Sequence, residues 1–220
     1  MEFDASEVSE QRLYGCMIAA IVPRPIAVVG TVSAAGAPNL APYSFFTGIS
    51  SRPPLVAFCP ANREDGGEKD TLANLKPREE GGTGCFTISV ATDAIVRQVV
   101  ACSEPLPAGA SEFALSGLTP GASRRVIAPH VAESPVHFEC ETLEIRRFAP
   151  GEPDGGNLVV GRIVHVRVDD AVLDARGRID PAKLDAVGRM GGIGYARTRE
   201  RLDIPRGIAA LSRSSSQTRP

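Results

Sequence analysis

The sequence contains no run approaching the roughly 18 uninterrupted apolar residues that a membrane-spanning helix needs. It also lacks a C-x-x-C pair, histidines at H-x-x-x-H spacing, and an excess of charge of either sign. The formal net charge is -2 and the pI is about 6.0, so there is no electrostatic footprint for nucleic acid and no polybasic arm for an acidic membrane. The five cysteines, Cys16, Cys59, Cys85, Cys102 and Cys140, are odd in number and widely spaced, which argues against a disulfide framework and a zinc site alike. They are expected as buried or half-buried free thiols. His130, His137 and His165 show no ligand spacing, and a protein-held metal is not expected. There is no G-x-S-x-G elbow, no Walker loop and no full G-x-G-x-x-G after a strand. If the chain does chemistry, a cofactor carries it. The start, Met1-Glu2-Phe3-Asp4, is acidic where a secretory signal would be basic and then apolar, so the cytoplasm is the expected location.

What is present suits a globular protein. With 43% hydrophobic and 23% charged residues, the chain has enough apolar side chains for a sizeable core, and its 220 residues fit one domain. That domain is expected over 1–208, followed by a Ser/Arg-rich tail, 209–220, whose composition cannot bury a core and reads as disordered.

Residues 6–21 read as a helix, with Leu13, Cys16, Met17, Ala20 and Ile21 on one apolar face and Pro23 as the stop. Three β-rich runs, 26–32, 40–49 and 55–59, read as a meander. A loop is expected over 62–68, a short helix over 71–76, a strand over 85–90 and a helix over 92–102 capped by Thr92 or Asp93. The Pro/Gly/Ala-rich stretch 105–121 reads as an ordered excursion. Two long strands, 136–148 and 158–168, close the sheet. In the first, the apolar phase slips between Cys140 and Leu143, which suggests a β-bulge. In the second, Val164, Val166 and Val168 are expected to face inward. A helix over 180–187 starts on Asp180 and Pro181, and a glycine loop over 191–195 follows. Strands with helices inserted between them, without βαβ repetition, indicate a mainly β fold, a closed or split antiparallel barrel.

Three segments bear on chemistry. Thr31-Val32-Ser33 puts two hydroxyls on one strand face, where they can hold a phosphate or a heterocycle edge; alternatively Ser33 simply closes its own turn. In Asn39-Leu40-Ala41-Pro42-Tyr43-Ser44-Phe45-Phe46, Pro42 removes a ladder donor, which places the piece at a sheet edge or bulge, and its aromatics are either core or ring-facing. Lys69-Asp70-Thr71-Leu72-Ala73-Asn74 sets a cation and a hydroxyl at a helix start, either an anion site or an ordinary N-cap.

Taken together, Pro23-Arg24-Pro25-Ile26-Ala27, Thr31-Val32-Ser33, Pro38-Asn39-Leu40-Ala41-Pro42-Tyr43-Ser44-Phe45-Phe46 and Lys69-Asp70-Thr71 with Asn74 closely resemble the flavin reductase-like, FMN-binding split β-barrel family, in its flavoredoxin-like branch. The segments Phe113-Ala114-Leu115-Ser116-Gly117-Leu118, Val131-Ala132-Glu133-Ser134-Pro135 and Arg189-Met190-Gly191-Gly192 with Tyr195 agree. The resemblance implies a homodimer of split barrels with FMN near the subunit boundary. It implies that Thr31, Ser33, Tyr43 and Ser44 line the flavin, that Lys69, Asp70 and Thr71 surround its phosphate, and that Arg189, Gly191 and Tyr195 form a late loop near the site. Two departures stand out: Thr47 where relatives often carry Asn, and a loop 62–68 longer and more charged than usual.

The activity implied is oxidoreduction without a named catalytic side chain. NADH or NADPH would be the electron donor of a flavin reductase, or of the reductase component that serves a monooxygenase partner. A tightly FMN-bound reductase of quinones, nitro compounds or ferric complexes, and a non-enzymatic flavin-binding electron carrier, share the same signature.

Overall fold

The computed structural model describes residues 1–107, 110–211 and 218–219. In chain order its helices are α1 (Glu10–Ala20), α2 (Asp70–Leu75), α3 (Val96–Ala101), α4 (Glu112–Ser116) and α5 (Pro181–Leu184). Its strands are β1 (Arg24–Pro25), β2 (Ala27–Val32), β3 (Pro38–Tyr43), β4 (Phe46–Ser51), β5 (Pro54–Phe58), β6 (Cys85–Val90), β7 (Pro120–Gly121), β8 (His130–Val131), β9 (Val136–Arg147), β10 (Asn157–Val168), β11 (Val187–Arg189), β12 (Tyr195–Arg197), β13 (Arg201–Leu202) and β14 (Thr218–Arg219). Of the expected tail, 212–217 and 220 lie outside the described residues, and Gly207–Leu211 form a 3-10 turn.

Seven strands make one antiparallel sheet in the order β3-β2-β6-β9-β10-β5-β4. The expected meander is therefore wrong in one respect. The run 40–49 is two strands, and they lie at opposite edges of the sheet. Only Ser44 and Phe45 join them. A link that short can span two edges only if the sheet curls until the edges meet, and so the sheet is bent into a barrel split at this corner. Pro42 lies on the edge strand β3, as its missing donor requires.

Every residue of β2 is buried, because the strand is covered on both faces. Ala27 and Val29 point into the barrel with Tyr43, Val56, Phe58, Leu72, Phe86, Ile88 and Val159. Val28 points outward and is covered with Leu40 by Ile95, Val99, Phe113 and Val187. Bending is concentrated in β9 and β10. Their register shifts between Val160 and Gly161 and again between Ile163 and His165. The first shift leaves Leu143 without a partner, which is the bulge indicated by the apolar slip. The second resets the alternation of β10, so Val166 is 48% exposed and the expected inward row of valines fails. Gly161 faces the Phe86 ring, where a Cβ would collide with it.

Three further expectations change. The helix placed at 92–102 begins at Val96, because Thr92 bridges to Ala186 and the Asp93 N–H donates to the Asp185 carbonyl. The N-terminal helix runs Glu10–Ala20 from an Ser9 cap, after a separate 3-10 turn, and none of its residues is buried. Cys16 and Cys59 are exposed; Cys85, Cys102 and Cys140 are buried, and all five are free.

A buried polar cluster lies under the loop 121–131. Glu139 accepts from the backbone N–H groups of Arg124 (2.9 Å) and Val126 (3.2 Å), and from that of Arg125, and lies 3.1 Å from His165 Nδ1. The rings of His130 and His137 stack 3.7 Å apart beside it, both buried. Burial, and then the neighbouring His130, pull the His137 imidazole down to about 4, and burial lowers His130 as well. Unfolded, both take up protons below about 6.5. The folded state refuses them, so stability is full above that pH and falls below it. Between pH 6 and 4.5, unfolding should take up about one proton at His137 and a further part of one at His130, read from the slope of Tm against pH. His137→Gln should remove the larger share of that slope. An unchanged slope in the variant would show that the stacked pair is not the source.

Candidate functional site

The corner between β3 and β4 collects most of the residues singled out from the sequence, in two adjoining groups. The first is a buried polar network between β2, β3 and α2. The Asn39 side-chain amide donates to Thr31 Oγ1 (3.1 Å) and Thr71 Oγ1 (3.0 Å), and the Asn74 amide donates to Thr31 Oγ1 (3.1 Å). Tyr43 is hydrogen-bonded to Thr71, and burial pushes its phenol up to about 12, so it stays neutral. Thr31 and Thr71 are fully enclosed; their hydroxyls tie α2 to the sheet. The α2 start carries Lys69 and Asp70 at the surface, with Asp70 paired to Arg63. The first intrahelical bond there runs from the Ala73 N–H to the Lys69 carbonyl, which leaves the preceding first-turn N–H groups outside that ladder. On the outer edge of β3, Glu112 accepts from the Leu40 N–H at 3.0 Å and shields the strand from further pairing; burial raises this carboxyl above its usual range.

The second group surrounds Ser44. Arg24 is buried and donates from Nε to Ser44 Oγ (3.2 Å) and from Nη2 to the Met190 carbonyl (3.1 Å). Its strand pairs with β11, Arg24 opposite Arg189. The Arg189 guanidinium lies 4.6 Å from the Tyr195 ring centre and donates to the Gly192 carbonyl (2.6 Å). Gly191 packs against α1 near Ala19. The turn 190–194 thus has two of its carbonyls held by arginines, that of Met190 by the buried Arg24 and that of Gly192 by the half-buried Arg189, and Ile193 at its tip is 96% exposed.

Tyr43 and Ser44 are neighbours in the chain and join the two groups. Ser33 stands apart from both. Its hydroxyl accepts from the Ala37 N–H (3.0 Å) and closes its own turn, the plainer of its two readings. It lines an open hollow of about 480 Å3 with Val32, Ala34, Gly36, Arg78, Gly82, Thr83 and Ile127. That hollow includes no other candidate residue; the remainder of the candidates face open surface on the single chain or are buried. The charged loop 62–68 is folded back on the β9–β10 hairpin, with the Asn62 amide on the Ala149 and Glu152 carbonyls (3.1 and 3.0 Å) and Glu68 joined to Arg147 (2.8 Å).

The family model described as flavin reductase like domain matches residues 19–183. The chain belongs to the flavin reductase-like family. An uncharacterised protein of Deinococcus radiodurans is 37% identical to it over 211 residues, covering 93% of this chain and 88% of that protein. The solved structure of nitrilotriacetate monooxygenase component B from Bacillus cereus is 29% identical, with a TM-score of 0.84 over 93% of this chain and 98% of that one. That of the 2-nitrobenzoate 2-nitroreductase NbaA from Pseudomonas fluorescens is 25% identical, with a TM-score of 0.81 over 97% and 100%. The split barrel is the fold of this flavin reductase-like protein, and the oxidoreductase class is that of its family.

Sequence reasoning assigned no role to Asn39, Asn74 or Arg24, although all three lie inside the stretches that carry the resemblance. A signal was present: Arg24 lies between two prolines, Asn39 between Pro38 and Leu40, and Asn74 between Ala73 and Leu75, each a polar residue with apolar or proline neighbours. Replacing Asn39 by Leu should leave Thr31 and Thr71 each short of a donor and cost about 2–3 kcal/mol. For a chain of this size Tm should drop by roughly 5–10 °C, read by calorimetry. A drop within a degree would mean that the bridging amide is dispensable.

Proposed function

We propose that this protein binds FMN at the β3–β4 corner and acts as an NAD(P)H-dependent flavin reductase, either alone or as the reductase component of a two-component monooxygenase. One observation carries the reading. The corner offers hydrogen-bond donors and a free cation, without any nucleophile–base pair or paired acid and base among the described residues. Such a site suits a phosphorylated heterocycle that brings its own reactivity. The donor set fits FMN: Lys69 and the first-turn N–H groups of α2 match a phosphate, and Ser44 matches a ring edge.

When bound, FMN supplies a ring that accepts a hydride and passes electrons on. Lys69 holds the phosphate by charge, while Arg63 neutralises Asp70 beside it. Thr31 and Thr71 act from behind, fixing α2 against the sheet through Asn39. Ser44 orients the ring edge, and Arg189, Gly191 and Tyr195 border it from the late turn. Orientation of two flat reactants is the main requirement of such a transfer, and a rigid barrel corner provides it.

The exposed faces suggest a homodimer. Tyr14 and Met17 on α1 and Ile21 at its C-cap are exposed, and Ile49 on edge strand β4 and Ile193 on the late turn are exposed as well. A second chain over these surfaces would cover apolar area and supply the missing wall of the site. The likeness to NbaA favours a second reading, a reductase that keeps its FMN and acts on nitro compounds; the likeness to component B favours a monooxygenase partner.

Lys69→Ala should weaken FMN about ten- to a hundredfold while riboflavin, which lacks the phosphate, binds wild type and variant alike. Equal weakening of both would remove Lys69 from the phosphate. Anaerobic addition of NADH or NADPH to the FMN-loaded protein should bleach the flavin band; a band that persists with both points to a carrier without a pyridine-nucleotide donor. Light scattering at micromolar concentration should give a dimer, and a monomer with full FMN affinity would overturn the shared site.

A further inference from the structure

Arg24 is 5% exposed, and its partners include no carboxylate. A guanidinium taken out of water is unfavourable unless its N–H groups are met by well-placed acceptors. Here the acceptors are the carbonyls of Ile18 (2.7 Å), Ile21 (3.0 Å) and Met190 (3.1 Å), and Ser44 Oγ (3.2 Å). Ile18 and Ile21 end α1, so the negative pole of that helix replaces an acid. The Phe45 ring, 5.7 Å from the guanidinium carbon, adds a cation–π contact. One buried cation therefore joins the end of α1, the start of the late turn and the residue that links the two sheet edges.

The carbonyls would satisfy the cation wherever they point. The hydroxyl is different, because it has one hydrogen and can turn. With Arg24 Nε–H donating to one lone pair of Ser44, the serine's own O–H is directed away from the guanidinium. A donor that is itself charged also strengthens that O–H. Ser44 is half-buried, so its outward side can be reached.

We infer that Arg24 is a positioning residue which makes Ser44 a one-way donor toward an acceptor atom on the ring of the bound flavin, and which sets the 190–194 turn through the same side chain. This rests on the FMN reading above. Lysine cannot replace arginine here, since a point ammonium cannot span acceptors on three separate segments.

The test is a set of flavin affinities, measured by fluorescence quenching with FMN and with riboflavin, together with the visible absorption band of the bound ring. Ser44→Ala should weaken both ligands by the same factor, about tenfold, and shift the band; Ser44→Thr, which keeps the hydroxyl, should restore binding and band to near wild type. Arg24→Lys should weaken both ligands as well. Because the two side chains act through one contact, the loss in Arg24→Lys/Ser44→Ala should fall short of the product of the single losses by about three- to tenfold. A double variant at the full product, or a Ser44→Ala protein with wild-type affinity and spectrum, would overturn the inference. Should Arg24→Lys not fold, Ser44→Ala against Ser44→Thr decides alone. Wild-type protein that binds neither flavin would sink the FMN reading itself, which separates that failure from this one.

Discussion

Two residues join strands at opposite edges of a seven-stranded sheet, and the rest of the architecture follows from that shortness. Ser44 and Phe45 leave no slack, so the sheet must curl. Curling explains the paired irregularities in β9 and β10, the glycine opposite Phe86, and the burial of β2 on both faces. It also explains why Arg24 is enclosed. The guanidinium occupies the angle made where the edges meet, buried from solvent and with three chain segments within reach.

The corner is a place where packing and chemistry share residues. Thr31, expected beside the flavin, and Thr71, expected beside its phosphate, both accept from Asn39, and through it their hydroxyls hold α2 to the sheet. Their contribution to a ligand would pass through the placement of Lys69 and of Tyr43, whose phenol stays protonated in its buried setting. Ser44 stands on the other side of the same strand end, with its geometry set by Arg24. The electrostatics are consistent with binding an anion at one end of the corner and a neutral ring at the other: a surface lysine at α2, and donors without a neighbouring base at Ser44.

Much of this was legible in the chain. Pro42 announced an edge strand because a proline has no N–H to give, and the apolar slip near Cys140 announced a bulge because side chains alternate with a period of two. Asp180 and Pro181 marked a helix start that α5 occupies. Other features were hidden for physical reasons. The break at Ser44 is invisible to periodicity, since both flanking segments are β-rich. The inward row expected of Val164, Val166 and Val168 fails because the second register shift is produced by pairing with β9, whose partner residues there are 23 to 32 positions away in sequence (163 to 140, 168 to 136). The start of α3 was lost to pairing of Thr92 with Ala186. The stripe on α1 is apolar, as its spacing indicates, yet none of its residues is buried in its own chain. Asn39 and Arg24 were overlooked because a polar side chain's partners are tertiary, while its sequence neighbours advertise only strand and turn.

The order in which the sheet is assembled has a consequence for synthesis. β5 pairs with β10, Val56 opposite Gly161, so an early hairpin waits for a strand made about a hundred residues later. β6 likewise waits for β9. Pairings of this range must meet the loop-closure entropy before any contact rewards it, which places folding on the slow side, in milliseconds to seconds. As the chain leaves the ribosome, β2, apolar on both faces, and the edge of β5 emerge long before their cover exists. The nascent chain thus spends much of its elongation presenting the segments it will later enclose most completely, and its yield should depend on how well the cell shields that interval.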